Sequence, residues 1–184
     1  MQIFRKIRGS RNSPAIIIKR LGLFALIGLP FWGATKCRAQ EIHVGEHIPN
    51  IKITHICNYS KTELDLVDLR GKDIILDFGD IRCHGCLESL HKFDSLQQVY
   101  EGEVQFFWVT KDSIAEVARF LKTNKIGKTL KYLPIIAEDS VFFKRFPLWA
   151  IPYDVWIDKY SNVVSESLTS FVNKSSIDFL IQYK

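Results

Sequence analysis

The sequence predicts an α/β domain in which a central mixed sheet, parallel in part, is flanked by helices. Two continuous apolar runs, "DIILDFGD" (73–80) and "EVQFFWVTK" (103–111), are typical of strands buried on both faces. Each run is followed by apolar residues at helical spacing. A later stretch, "YDVWIDKYSNVVSESL" (153–168), predicts two strands joined by a turn. Because strands that alternate with helices form layered sheets, these observations predict the α/β class.

The part of the chain before and just after the first buried strand carries weaker patterns. The stretch 45–72 is typical of short extended pieces separated by turns. After the strand, a helix is expected from Cys86, because apolar side chains recur at spacings near three at Leu87, Leu90, Phe93, Leu96 and Val99.

The second half continues the alternation. The pattern of residues 113–127 predicts a helix closed by Gly127, and residues 133–139 predict a short extended piece. A final helix is expected in "SSIDFLIQYK", with Ser175 or Ser176 as its N-cap.

The N-terminal segment has the pattern of a secretory signal. A basic region ends at Lys19-Arg20, and "LGLFALIGLPFWGA" (21–34) is apolar but shorter than the ~20 residues of a membrane span. Ala39 offers a small residue for cleavage. We therefore expect a signal peptide over 1–39 and an exported, periplasmic domain over 40–184, with an uncleaved membrane anchor as the alternative.

The basic charge of the chain is confined to this leader. The formal net charge is +5, but residues 1–39 hold eight of the 25 Lys and Arg and none of the 20 Asp and Glu. The remaining chain is slightly acidic. Nucleic acid is therefore not an expected partner, because phosphate binding needs a basic face on the folded domain.

The domain keeps three cysteines: Cys57, Cys83 and Cys86. An exported compartment permits disulfides, and an odd count fits one pair and one spare thiol. Cys83 and Cys86 lie where the first buried strand gives way to a helix. The unpaired N–H groups of a helix N-terminus favour a thiolate, so the first cysteine can attack a disulfide and the second can resolve the mixed disulfide. Arg82 and His84 add cationic side chains beside Cys83.

Asp77 interrupts an apolar run that should be buried. Burying a carboxylate is costly and raises its pKa, so its presence calls for a reason. A role as proton acceptor for the Cys86 thiol is one explanation. A position at a strand edge, in contact with water, is the alternative.

These motifs resemble the thioredoxin superfamily, and most closely its exported TlpA/ResA-type thiol–disulfide oxidoreductases in the form common in Bacteroidetes. "DFGDIRCHGC" is similar to the family's D-F-W-A-x-W-C-x-x-C, with the acid six residues before the first cysteine. "GEHIPNIKI", "LVDLRGKDIILDF" and "AIPYDVWIDKYSNVV" are similar to its opening segment, its central-strand lead and its cis-proline segment. The resemblance covers nearly all of the chain after the leader.

The resemblance implies a thioredoxin-like fold and dithiol–disulfide exchange with other proteins. It makes Cys83 the nucleophile, Cys86 the resolving thiol and Asp77 the buried acid. It makes Pro152 a cis-proline whose preceding residue, Ile151, pairs with the bound peptide. We expect Pro152 and Ile151, with His84 and Arg82 beside the cysteines, to contact the substrate. Reduction of substrate disulfides, with electrons from a membrane thiol donor and no organic cofactor, is the implied direction.

The chain also departs from this family. Gly79 and Arg82 stand where the family has tryptophans, and His84-Gly85 replaces the usual dipeptide between the cysteines. A non-catalytic thioredoxin-fold module that holds a partner or a metal, and a peroxidase-like thiol enzyme, therefore remain alternatives. No second ligand pair with zinc spacing is present, and Leu87 after Cys86 excludes a C-x-x-C-H haem motif.

The remaining cysteine and tryptophans carry less information. Cys57 is expected to be a small buried apolar residue. Trp108 and Trp156 lie in strand runs and are expected in the core. Trp149 lies close to Pro152, so either core packing or a position in the substrate groove fits it.

Overall fold

The computed structural model describes residues 40–182, and the predicted signal peptide lies outside them. Its strands are β1 Lys52–Ile53, β2 Ile56–Cys57, β3 Leu64–Asp65, β4 Asp73–Gly79, β5 Val104–Thr110, β6 Ile135–Ile136, β7 Tyr153–Ile157 and β8 Val163–Leu168. Its helices are α1 His84–Val99, α2 Ile114–Thr123, α3 Phe142–Arg145 and α4 Lys174–Gln182. Within the described part of the chain, no helix has the length and apolar character that crossing a bilayer requires.

Six strands form the central sheet, in the order β2-β6-β5-β4-β7-β8. Strands β4, β5 and β6 run parallel, while β7, β8 and β2 are each antiparallel to the neighbour they join. The predicted mixed sheet is confirmed. The other two strands, β1 and β3, pair with each other in a small separate sheet.

Both faces of the central strands are covered, which explains their continuous apolar sequence. On one face, Ile75 and Trp108 pack with apolar side chains of α1, α2 and α4. On the other, Leu76 and Phe107 pack with the N-terminal extended segment and with α3. Because side chains alternate along a strand, Asp77 of β4 lies on the same face as Ile75, beneath the helices.

Three predicted helix boundaries are wrong, each for a local reason. Helix α1 begins at His84, two residues before the expected start, because the Cys83 side chain is its N-cap. Helix α2 ends at Thr123, before Gly127. A Cβ at Gly127 would collide with the Phe120 carbonyl oxygen, so the glycine permits a close approach instead of closing the helix.

The third wrong boundary is the start of the last helix. Helix α4 begins at Lys174, and Asn173 takes the capping role expected of Ser175 or Ser176. The Asn173 side chain accepts from the Ser176 N–H at 3.1 Å, while the Ser176 hydroxyl accepts from the Asn173 N–H at 3.0 Å. This reciprocal pair satisfies two backbone donors at the helix start.

Candidate functional site

A disulfide between Cys83 and Cys86 lies at the N-terminus of α1, directly after the end of β4. Cys83 has an extended backbone, and its Sγ accepts a hydrogen bond from the Cys86 N–H at 3.2 Å. Sulfur therefore occupies the place that a serine or aspartate oxygen fills at most helix starts. Any negative charge that develops on Cys83 faces the first N–H groups of the helix.

The two cysteines differ in accessibility. Cys83 is partly exposed, whereas Cys86 is completely buried on the first turn of α1. An incoming disulfide can therefore reach only the first sulfur. The second sulfur is available for an intramolecular attack and is protected from solvent.

The loop between β4 and Cys83 is held by two aspartates. Asp80 accepts from the Arg82 N–H at 2.7 Å, and buried Asp112 accepts from the Ile81 N–H at 2.8 Å. The Arg82 guanidinium lies 3.3 Å from Asp80 and 3.6 Å from Asp112, and its hydrogen bond to Asp80, together with the negative charges of both aspartates, raises its pKa. The cation before Cys83 is therefore already paired, which weakens the field it exerts on the thiolate.

His84, between the cysteines, is the most exposed side chain of the group. Its ring Nε2 lies 3.1 Å from Glu88 Oε1, one helical turn further on, and its side chain is 89% exposed. The imidazole is therefore exposed to solvent beside the disulfide.

The predicted cis-proline faces the cysteine pair. The Ile151–Pro152 peptide is cis, and a Cβ placed on Gly85 would lie 3.9 Å from Pro152 Cδ. The Ile151 side chain is exposed next to this contact. The fold thus brings together two segments that are more than sixty residues apart in sequence.

Aromatic side chains extend the surface beyond the proline. Trp149 is 70% exposed and makes an edge contact with Tyr153, with ring centroids 5.7 Å apart. An open groove of about 1100 Å³ begins at these residues and continues to the exposed Phe171 and Phe179 beside edge strand β8. Core packing of Trp149 is therefore wrong, and its position in a substrate groove stays a prediction. The core positions of Trp108 and Trp156 are confirmed.

Asp77 is buried at the centre of the sheet, with 1% of its surface exposed. The alternative of a strand edge in water is therefore wrong. Its partner across β7 in the register is Asp154, which is fully buried on the same face. Burial and the neighbouring Asp154 charge raise the pKa of Asp77 well above its usual range, and burial raises the pKa of Asp154 to about 7.

Sequence reasoning missed Asp154, although the signal that revealed Asp77 was also present there. Asp154 interrupts "YDVWI", an otherwise apolar strand, as Asp77 interrupts "IILDF". Two such interruptions on strands that pair with each other indicate a shared site. The pairing of β4 with β7 was the missing information.

Gly79 and Trp108 explain one departure from the family motif. A Cβ at Gly79 would collide with the indole of Trp108, which lies on the neighbouring strand β5. The Trp108 Nε1–H is buried and has no hydrogen-bond acceptor within residues 40–182. An indole from the next strand thus occupies the space that a side chain at position 79 would need.

No family profile and no curated protein match this sequence. Solved structures do. The lipoprotein thioredoxin of Streptococcus pneumoniae is 21% identical over 74% of this chain and 100% of its own, with a TM-score of 0.61. A Bacteroides vulgatus protein described as a thiol-disulfide oxidoreductase is 22% identical over 76% of this chain and 97% of its own, with a TM-score of 0.60.

The chain has the thioredoxin fold. A reduced 2-Cys peroxiredoxin from Plasmodium vivax is also similar, at 18% identity over 75% of this chain and 79% of its own, with a TM-score of 0.62. Likeness at these identities fixes the fold and leaves the reaction to be argued from the site. The names of the oxidoreductase neighbours agree with the resemblance drawn from the sequence.

The structure also bears on the predicted burial of Cys57 and on the alternative of a metal site. Cys57 on β2 is half-buried instead of buried, and burial raises the pKa of its thiol. The described residues contain no cluster of three or more His, Cys, Asp or Glu side chains arranged to hold a metal ion.

Proposed function

We propose that this protein is an exported thiol–disulfide oxidoreductase that reduces disulfides in other proteins through Cys83 and Cys86. The observation that supports it is the asymmetry of the cysteine pair. An accessible sulfur caps a helix N-terminus opposite a cis-proline, and its disulfide partner is completely buried. A purely structural disulfide would not require an accessible sulfur beside a cis-proline. A disulfide that closes so short a loop also stabilises the fold little, because it restrains the unfolded chain little.

In the first step the Cys83 thiolate attacks one sulfur of the substrate disulfide. A bond forms between Cys83 Sγ and that sulfur, and the other substrate sulfur leaves as a thiolate with the electron pair. The helix N-terminus stabilises the attacking thiolate, because its free N–H groups point at Cys83. We expect His84, which is exposed beside Cys83, and Arg82 to contact the incoming partner.

In the second step Cys86 resolves the mixed disulfide. Its proton passes to Asp77, and the resulting thiolate attacks Cys83 Sγ, which releases the substrate as a dithiol. The protein is left with the Cys83–Cys86 disulfide, having given two electrons to the substrate. Because the two thiols carry both electrons, the exchange needs no organic cofactor. We expect Asp77→Asn to slow this second step more than the first, which stopped-flow traces resolve as two phases.

Two further elements complete the proposal. The substrate peptide lies across Ile151 and Pro152, where the exposed Ile151 can offer backbone groups as a strand edge does. The disulfide is then reduced again by a thiol donor in the membrane. Export rests on the basic and apolar segments of residues 1–39, and it is tested by fractionating cells and determining the N-terminus of the mature protein.

The reduction potential of the Cys83–Cys86 pair is the first test. The purified protein is equilibrated in thiol buffers, quenched with acid, alkylated and counted by mass, with bound zinc assayed in parallel. A reversible couple near thioredoxin's, about −270 mV, would support a reductase, whereas one near −120 mV would indicate an oxidant. Absence of a reversible couple would favour a non-catalytic binding module.

Trapping identifies the partners. In cells, Cys86→Ser should accumulate mixed disulfides, because Cys83 can attack but nothing releases the product. The matched control carries both Cys83→Ser and Cys86→Ser and should trap nothing. Adding Cys57→Ser to both excludes adducts through the third thiol. Failure to recover any adduct specific to Cys83 would argue against exchange, and a peroxide-consumption assay would then test a peroxidase.

A further inference from the structure

Two buried carboxyl groups lie side by side beneath α1, and the proposed function uses only one of them. Asp77 on β4 and Asp154 on β7 are register partners, with 1% and 0% of their surfaces exposed. Directly opposed residues of antiparallel strands have Cβ atoms about 5 Å apart on the same face. We call these two residues the acid pair.

The acid pair has more acceptor oxygens than donors. The Thr169 hydroxyl donates to Asp77 Oδ1 at 3.3 Å. Asp77 Oδ2 and both carboxyl oxygens of Asp154 are buried and accept no hydrogen bond of good geometry from residues 40–182, although the Thr169 hydroxyl lies close enough to Asp154 to lower its pKa. Two carboxylates cannot hydrogen-bond each other, but a carboxylic acid can donate to a carboxylate. One proton held between the two side chains would satisfy two of the three orphaned oxygens.

The charges around the acid pair also fit one proton. From α1, half-buried Lys92 faces both carboxyls, and its Nζ donates to the Thr169 backbone oxygen. The neighbouring strands present uncharged side chains, Trp108 from β5 beside Asp77 and Ser167 from β8 beside Asp154. One cation faces two acids, so a single shared proton leaves this buried cluster neutral.

We propose that Asp154 is a positioning residue that shares one proton with Asp77 and thereby lets Asp77 accept the proton of Cys86. As Cys86 S–H gives its proton to Asp77, the proton already on Asp77 moves to Asp154. The Cys86 thiolate then forms its bond to Cys83 Sγ, and the bond between Cys83 and the substrate sulfur breaks, with the electron pair leaving on the substrate. The acid pair then holds two protons and gives one to solvent, which restores the single shared proton of the disulfide form. Cys86 takes up a proton again when the disulfide is next reduced.

The directions of both pKa shifts agree with this shared proton. Burial and the neighbouring Asp154 charge raise the pKa of Asp77 well above its usual range, which favours the protonated form of Asp77. Burial raises the pKa of Asp154 to about 7, so Asp154 can accept a proton near neutral pH. The inference rests on the proposed exchange reaction, so one of its two tests is independent of that reaction.

The first test is a pH titration of the disulfide form, followed by the NMR signals of ¹³C-labelled aspartate carboxyl carbons. In the natural protein, the Asp77 and Asp154 signals should move together in two steps, one of them near pH 7. In Asp154→Asn the step near neutrality should vanish and Asp77 should titrate in a single step. An Asp77 titration unchanged by Asp154→Asn would overturn the shared proton. Asp154→Ser serves in the same way if the asparagine variant folds poorly.

The second test mixes reduced protein with one equivalent of an aromatic disulfide that releases a coloured thiolate on attack and again on resolution. The resolution rate should change with pH around the pKa of Asp154, and Asp154→Asn should abolish that inflection. At about pH 7, Asp154→Asn should also slow resolution at least about tenfold while attack changes less than about twofold. The matched control is Asp94→Asn, which removes a buried carboxyl of α1 that hydrogen-bonds the backbone of residues 131–133 instead of the acid pair, and which should keep the inflection.

The outcomes separate the two proposals. Coupled titration with an unaltered resolution profile in Asp154→Asn would overturn the role of Asp154 and leave the exchange reaction standing. Absence of a resolution phase in the natural protein would refute the proposed function, and the role of Asp154 would fall with it. Loss of both the coupled titration and the inflection in Asp154→Asn supports the proposal.

Discussion

Replacing Asp154 by asparagine should make the protein more stable at alkaline pH and not at acidic pH. Burial raises the pKa of Asp154 from 3.8 to about 7. A carboxyl with a raised pKa binds more protons in the folded state than in the unfolded state between these values. The free energy of unfolding therefore falls as pH rises through this window, and the stabilising contribution is complete only below the unfolded pKa.

The size of this effect follows from the shift. Each tenfold change in proton affinity corresponds to about 1.4 kcal/mol, so the move from 3.8 to about 7 corresponds to about 4 kcal/mol. Asparagine has nearly the same shape as aspartate and carries no charge. In the variant, position 154 should therefore not lower the free energy of unfolding as the pH rises. Relative to the natural protein, Asp154→Asn should gain up to about 4 kcal/mol between about pH 4 and pH 8.

Urea unfolding at a series of pH values, followed by circular dichroism with the disulfide intact, measures this difference. Ser165→Ala is the matched control, because it alters an uncharged side chain on the neighbouring strand β8, on the same face. Its effect on stability should be the same at every pH. A difference between Asp154→Asn and the natural protein that stays constant from about pH 4 to pH 8 would refute the reasoning.

Three other predictions concern single side chains. Gly79→Ala should lower the free energy of unfolding by about 1–3 kcal/mol, because its Cβ meets the Trp108 indole, and adding Trp108→Leu should recover part of the loss in urea unfolding. Asp94→Ala should cost about 3 kcal/mol by the same measurement, because one carboxylate oxygen accepts three backbone N–H groups of residues 131–133; a loss below about 0.5 kcal/mol would contradict this. Cys57 should be alkylated more slowly than an unstructured thiol at about pH 8, because burial raises its pKa, and peptide mass mapping follows the rate; equal rates in folded and urea-unfolded protein would be the contrary result.

The sequence predicted most of the sheet and the cysteine site because their signals are local. Continuous apolar runs identified β4 and β5, and the position of the C-x-x-C motif after β4 predicted that both cysteines lie where a strand gives way to a helix. The cis state of Pro152 is confirmed as well, but only the resemblance predicted it. Because X-Pro bonds in general favour the trans form, the local sequence alone does not predict a cis bond at Pro152.

The parts that the sequence did not predict depend on contacts between distant segments. Asp154 can be recognised as part of the site only from its position opposite Asp77, which lies on another strand. The start of α1 was missed because a cysteine sulfur is an unusual N-cap, and Gly127 was misread because its neighbour is the carbonyl of Phe120. Pattern along the chain carries no information about which strand lies beside which.

The contact between Gly79 and Trp108 also restricts how this site can evolve. A side chain at position 79 and an indole at position 108 would occupy the same volume, so position 79 cannot accept the family's tryptophan while position 108 keeps its indole. A variant that gains tryptophan at position 79 must first, or at once, accept a small residue at position 108. In an alignment of relatives, the two positions should therefore covary in size, large opposite small.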